Sequence, residues 1–336
     1  MSHISYVNQV SKFAKFSLSA LAAGAVIAVT ASAALAQDGY PKQPIKIIVP
    51  FTAGSATDII ARALGEGMRK ELGQPIIIEN KPGAGGTLGA ALVAAAPADG
   101  YTLLVHSAGH VANAALYPAL RYDPIKDFKP LAMLASVPNV MVVAPSSGFT
   151  DAASLVKKAK AEPGKLTYAS AGNGSATHMN AEKFRLAAGI DAVHAPYRGT
   201  PEAITDVIAG QVQWFFAPIT SAIPMIKDKK LQALAVGSPQ RAAALPDVPT
   251  TLEAGYPHSD YDFWIGLFAP GKLPPAVAEQ ITKATEAALK SEAVKARYAA
   301  LGANFPHMAP AQFDAFVLSE SAAAAKLVSS AKITQN

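Results

Sequence analysis

Short β-rich runs alternate with amphipathic helical patterns through most of this 336-residue chain. The first run is Ile45-Lys46-Ile47-Ile48-Val49, and after it Ile60, Leu64, Met68 and Leu72 recur every four residues, one apolar face of a helix. The spacing predicts a strand over 45–49, a helix over 58–72 ended by Gly73, and a strand over 75–79. The Gly-rich stretch 82–89 opens a helix through residue 96, 102–106 reads as a third strand, and 123–129 as a polar connector. A second series starts with the apolar run 140–144. Thr150 and Asp151 can cap a helix reaching Lys160, and Pro163-Gly164 turns the chain into a strand at 166–169. A helical pattern from Met179 to Ala188 is closed by Gly189, and then come a strand over 193–197 and a helix over 201–209. Strands are expected over 212–216, 231–236 and 263–269, and helices from Pro274 to about 289, over 293–301 and over 311–326. Such alternation belongs to an α/β fold, parallel sheets with helices on their faces.

One tetrapeptide occurs twice in equivalent settings: Gly54-Ser55-Ala56-Thr57 and Gly174-Ser175-Ala176-Thr177 each stand between a strand and a helix. Small residues there let a ligand approach bare backbone, and the amides opening a helix are unpaired donors carrying about half a positive charge. Two such turns, one in each half of the chain, point to a cleft gripping a small anion from both sides. The plainer reading is an ordinary helix start capped by Ser55 or Thr57, and the two readings are compatible.

Length and composition allow two globular domains, with half the residues hydrophobic and 16% charged. The N-terminus reads as a secretory signal: Lys12 and Lys15, an apolar stretch over 16–30, and Ala34-Leu35-Ala36 as the cleavage motif before Gln37. An uncleaved anchor is the alternative, since 16–36 is free of charge. Cleavage after Ala36 would leave a soluble chain outside the cytoplasm, with 27 basic residues against 24 acidic, a net +3. That charge is too slight and too evenly spread for nucleic acid. There is no cysteine, which excludes disulfides, thiol chemistry and a lipid anchor on an N-terminal Cys.

Enzyme signatures are missing. There is no G-x-S-x-G, and Ser154-Leu155-Val156-Lys157 matches S-x-x-K without its companion motifs. The 82–89 loop has Gly83 and Gly85 but Leu88 where a dinucleotide fingerprint needs glycine, and it lacks the Lys of a P-loop. His106 and His110 stand four apart but follow a strand, with no H-E-x-x-H, so neither a metal nor another cofactor is expected.

Side chains near the two turns have more than one reading. Asp58 would repel an acidic ligand and suits the first turn of its helix, though contact through water or with a ligand amine stays open. Ser170, Ala171, Gly172 and Gly174 suit close backbone approach, with Ser175 and Thr177 as hydroxyl donors; a turn needing positive φ would use the glycines equally well. His178 opens a helix and either faces the pocket or packs. Arg198 is the best fork-shaped grip on a carboxylate, with a surface ion pair as its alternative. Phe51 and Tyr197 either wall the cleft or belong to the core.

A set of short motifs in order carries a family resemblance. They are Tyr40-Pro41; Pro50-Phe51 and Ala53-Gly54 with Asp58 and Arg62; Glu79-Asn80-Lys81-Pro82-Gly83-Ala84-Gly85-Gly86; and Asp99-Gly100-Tyr101-Thr102-Leu103-Leu104. Later come Tyr168-Ala169-Ser170-Ala171-Gly172 with Gly174 and His178, then His194-Ala195-Pro196-Tyr197-Arg198-Gly199, Leu234-Ala235-Val236, Pro246-Asp247-Val248-Pro249-Thr250, and Trp264 with Gly266, Ala269 and Pro270. Over essentially the whole mature chain the sequence resembles the periplasmic solute-binding receptors of the tripartite tricarboxylate transporter family, also called Bug receptors. The resemblance implies a type II periplasmic-binding-protein-like fold: two α/β domains joined by two hinge strands, with the ligand in the cleft. The apolar runs 140–144 and 263–269 suit the crossovers, which gives domain 1 as 37–139 with 265–336 and an inserted domain 2 as 140–264. It further implies a carboxylate held mostly by main-chain donors and bridging waters between two strand–helix loops, here 50–58, with Phe51, Thr52, Ala53, Gly54, Ser55, Ala56, Thr57 and Asp58 as ligand-facing residues, and 170–178. One departure is visible: the family usually has two glycines after the alanine, and this chain has Gly54-Ser55, so a hydroxyl narrows the loop. The implied function is capture of a di- or tricarboxylate by a monomeric receptor serving membrane transporter subunits. Acidic amino acids, aromatic acids, a sensor role and an α/β hydrolase are the alternatives.

Overall fold

Strand β1 (Ile45–Val49) lies between two parallel neighbours and is almost entirely buried, as a strand covered on both faces must be. Its neighbours are β2 (Ile76–Asn80) and β3 (Thr102–Ser107), and beyond β3 run the antiparallel β10 (Trp264–Pro270) and then β4 (Phe128–Ser136). The sheet order is β2-β1-β3-β10-β4. A second sheet repeats the plan as β7-β6-β8-β5-β9, formed by β5 (Asn139–Val143), β6 (Thr167–Ser170), β7 (Val193–Pro196), β8 (Trp214–Pro218) and β9 (Gln232–Val236). Here β6 is parallel to β7 and β8, while β5 runs antiparallel to β8 and β9. The computed structural model describes residues 39–334, so the expected signal segment lies outside the described residues.

Helices cover the faces of both sheets. Helix α1 (Ala56–Leu72) buries Ile60, Leu64 and Met68 and ends where expected, at Gly73 in the left-handed region. Helix α2 (Thr87–Ala94) follows β2, and α3 (Gly109–Leu116) follows β3. In the second series α4 (Ala152–Ala161) carries a capping box between Asp151 and Ser154, and α5 (Ala176–Ala188) ends at Gly189. Helices α6 (Thr200–Ile208) and α7 (Ile219–Lys227) follow β7 and β8. The chain finishes with α8 (Pro275–Lys290), α9 (Glu292–Ala300) and α10 (Pro310–Ser330). Trp214, Phe184 and Phe216 anchor the core on one face of the second sheet, and Trp264, Phe268 and Phe313 pack together beside the first. No helix among the described residues is long and apolar enough to cross a membrane.

Three elements depart from the sequence reading. The connector expected over 123–129 gives way at Phe128 to β4, whose start is masked by Lys129-Pro130. Helix α3 has no capping side chain and begins at a glycine. Helix α7 contains Pro224, which lacks an amide and ordinarily breaks a helix, yet burial of Ile219, Ala222 and Ile223 holds it. The runs 140–144 and 263–269 are not themselves the crossings. The chain leaves the first sheet after Ser136 and enters the second at β5 through Val137-Pro138; it returns from β9 through residues 237–263 into β10.

Candidate functional site

Both turns follow the first strand of a β-α-β-α-β series, β1 and β6, at the carboxyl end of the strand and beside the point where chain order reverses. Ligands of open α/β sheets collect in such crevices. The helices start earlier than periodicity suggests, at Ala56 rather than 58 and at Ala176 rather than 179. Ser55 and Ser175 are the N-cap residues, with nearly identical backbones at φ −69°, ψ 156° and φ −62°, ψ 156°. The first-turn amides of Ala56, Thr57, Ala176 and Thr177 therefore have no carbonyl one helical turn behind them, and no loop bond among the described residues takes them up.

These two helix starts line one cavity of about 10 Å³, room for roughly a single water molecule. Ser55, Ala56 and Thr57 face it from one side, Ser175, Ala176 and Thr177 from the other. The Thr57 hydroxyl is buried there with no hydrogen-bond partner. Phe51 and Ala171 also line the cavity, and so do Ser107, Thr200, Pro218 and Phe263, which were not singled out from the sequence. Ser107 and Pro218 end β3 and β8. The signal that could have found them is topological: they close the strands beside β1 and β6.

The glycine amides expected to face a ligand are occupied within their own turns. Gly54 donates to Asp58 Oδ2 at 2.9 Å, and Gly174 donates to His178 Nδ1 at 3.1 Å, the same bond made four residues on by a carboxylate and by an imidazole. Ala171 donates to Thr177 Oγ1 at 2.9 Å and Gly172 to Ser170 Oγ at 3.0 Å. The free donors thus lie one step further on, at the helix starts. Ala53 and Gly54 are exposed and outside the cavity lining.

Asp58 and His178 are held beneath their loops. Burial pushes the Asp58 carboxyl up, but bonds from Arg62, Gly54 and Asn80 outweigh it and leave its pKa below the ordinary value. Burial brings His178 down to about 4, the Arg185 charge adding to it, so the ring is neutral at physiological pH. His178 stacks on His194 at 3.9 Å between ring centroids, and burial, then the repulsion two protonated rings would suffer, lowers His194 to about 3 against the opposing pull of Glu182. His194 Nε2 lies 2.6 Å from Ser170 Oγ. That pair is no nucleophilic dyad: Ser170 is fully buried and accepts from the Gly172 amide, bracing the turn.

Three hydrogen bonds tie the turn after β1 to residues of the second series. The Thr200 amide donates to Ser55 Oγ at 3.2 Å, Thr52 Oγ1 to Glu202 at 3.0 Å, and Ser221 Oγ to the Gly54 carbonyl at 3.1 Å. Gly199 permits the approach, since a Cβ there would stand 2.0 Å from Thr52 Oγ1. Ser55, the departure from the family pattern, is thus an acceptor across the cleft. Tyr197 donates its hydroxyl to Asp206 and packs on the second core, while Arg198 is exposed and has no ion pair among the described residues. Both line a larger outer chamber of about 490 Å³. Among the described residues no group of three or more His, Asp or Glu side chains is arranged to hold a metal; His106 and His110 are buried with ring centroids 5.1 Å apart.

A family model described as tripartite tricarboxylate transporter family receptor matches residues 60–333. The periplasmic binding protein BugD is 33% identical with TM-score 0.84, over 88% of this chain and 100% of that one. MatC from Rhodopseudomonas palustris, solved with bound malate, is 34% identical with TM-score 0.83, over 86% of this chain and 100% of its own. A second R. palustris protein, solved with adipate, is 30% identical with TM-score 0.84, over 88% and 99%. The fold is the two-domain α/β architecture of these periplasmic binding proteins, as the resemblance implies, and such receptors bind solutes rather than turn them over.

Proposed function

The chain belongs to the tripartite tricarboxylate transporter family of receptors, and from that premise we propose that its cleft captures a small organic carboxylate in the periplasm. The class is di- or tricarboxylate, and the loaded receptor delivers it to the membrane subunits of a tripartite transporter. One observation carries this reading: two opposed helix starts present free amides, with the unpartnered Thr57 hydroxyl, to a single cavity. An anion there meets the positive ends of both helix dipoles. Relatives solved with malate and with adipate fit the same ligand class.

With room for about one water, the cavity admits a carboxylate only after the cleft parts. The bonds from Thr200 to Ser55, Thr52 to Glu202 and Ser221 to Gly54 are those that break and re-form. The moving bodies are the two domains expected from the sequence, which carry the first and the second sheet. A single chain supplies both jaws, so the receptor acts as a monomer. Asp58 does not serve a ligand ammonium, because Gly54, Arg62 and Asn80 already occupy its oxygens. Calorimetric titration of the mature chain with di- and tricarboxylic acids and with their primary amides tests the site. The acids bind and the amides do not; equal binding of acid and amide overturns the reading.

A further inference from the structure

The outer chamber of about 490 Å³ shares Ala171 with the amide-lined cavity. Its wall includes Gly85, Tyr117, Tyr197, Arg198 and Glu202. Most polar groups there are engaged: the Tyr117 hydroxyl donates to the Asn173 carbonyl, Tyr197 to Asp206, and Glu202 accepts from Thr52. Arg198 differs. It is the one basic residue lining the chamber among the described residues, and its guanidinium has no partner there.

Arg198 and Thr200 belong to one turn, two residues apart, with Thr200 on the inner cavity and Arg198 on the outer chamber. Two residues of extended chain span about 7 Å at most. Resting on the carboxylate reading above, we infer that the ligand is an elongated dicarboxylate. One carboxylate sits between the helix starts, the carbon chain passes Ala171, which borders both spaces, once Gly172 and Gly85 have parted, and the distal carboxylate pairs with Arg198. A guanidinium suits that task because its fork matches both carboxylate oxygens. Glu202 supplies the opposing element: a second negative charge in the chamber is disfavoured unless Arg198 compensates it.

Adipate and hexanoate, equal in carbon number and different only at the far end, separate the two claims in calorimetric titrations. The native chain binds adipate at least tenfold more tightly than hexanoate. Arg198→Gln removes that preference by weakening adipate tenfold or more while leaving hexanoate within about twofold. Glu202→Gln, which keeps an acceptor for Thr52, tightens adipate severalfold. Equal affinity for the two acids in the native chain, or an equal loss of both in Arg198→Gln, overturns this inference and leaves the carboxylate clamp standing. Failure of either acid, and of shorter dicarboxylates, to bind overturns the clamp and this inference with it. Because Arg198 is exposed, the variant folds, and an unchanged far-UV spectrum verifies that.

Discussion

The turns at Gly54–Thr57 and Gly174–Thr177 have the same four residues and nearly the same backbone at the capping serine, yet their side chains are engaged differently. In the second, Thr177 accepts from Ala171, Ser175 from the His178 amide, and His178 from Gly174, so the turn is closed on itself. In the first, only the Gly54–Asp58 bond is internal in the same way; Ser55 reaches across the cleft to the Thr200 amide and Thr57 has no partner. Identical sequence thus yields one self-contained turn and one whose polar groups face outward. The difference comes from what surrounds them. Thr177 has the amide of Ala171 within reach, whereas at Thr57 the same hydroxyl is left to the cavity. The second turn is held by its own bonds, whereas the first is completed by a bond from the facing segment.

The largest effect comes from breaking the closed turn. Gly172 has φ 111°, a conformation that residues with a Cβ rarely adopt, and a Cβ there would lie 3.0 Å from the Gly85 amide nitrogen. Gly172→Leu abolishes carboxylate binding in calorimetry while the far-UV spectrum is retained. Unchanged affinity would remove the second turn from the site.

Acid comes next. His178 and His194 have pKa values of about 4 and about 3 in the folded chain, against an ordinary value near 6.5 in the unfolded chain. Between those limits the unfolded chain binds more protons than the folded one, so stability falls as pH drops from 6.5 toward 4. His106 and His110, also buried and held below the ordinary value, add to the same slope. Tyr168, stacked on both His178 and His194, and Glu182 and Arg185 beside it complete the surroundings of that pair. Thermal unfolding followed from pH 7 to 4 measures the slope, and His178→Gln flattens it. A slope unaltered by that change would mean that the imidazole under the second turn is not held neutral.

Much of this was legible in the chain. Four-residue apolar spacing placed α1, glycines placed its end and that of α5, and the repeated tetrapeptide marked the two turns. Which amides are free was not legible, because whether the Gly54 and Gly174 amides are engaged depends on which way Asp58 and His178 point. No periodicity records that. Ser107, Pro218 and Phe263 were invisible for another reason: they reach the cavity through strand order, and strand order follows from pairing between segments far apart in sequence. Pro130 and Pro224 hid β4 and α7, where tertiary burial overrode local preference.

Serine and threonine substitutions sharpen the comparison at smaller amplitude. Thr177→Val leaves the buried Ala171 amide without its acceptor and costs about 1–3 kcal/mol of stability. Ser55→Ala instead removes the acceptor of the Thr200 amide, a bond made only across the cleft. Its effect falls on closure, so carboxylate affinity drops roughly tenfold. The unfolding midpoint of the ligand-free chain moves less than in Thr177→Val. The reverse pattern, with Ser55→Ala the more destabilising and binding untouched, would contradict a turn completed by closure.

Thr57→Val makes the smallest change to the ligand-free chain. Valine has nearly the same shape, and the hydroxyl it replaces is buried without a partner, so stability stays within about 0.5 kcal/mol or rises. With ligand present the balance inverts. If the hydroxyl donates to a bound carboxylate, a charge-assisted bond of about 1.5–3 kcal/mol is lost, roughly a tenfold to hundredfold weakening. Unfolding midpoints with and without saturating dicarboxylate read both quantities from one variant. A loss of stability in the ligand-free chain would show that Thr57 is engaged as Thr177 is, and the asymmetry between the turns would disappear.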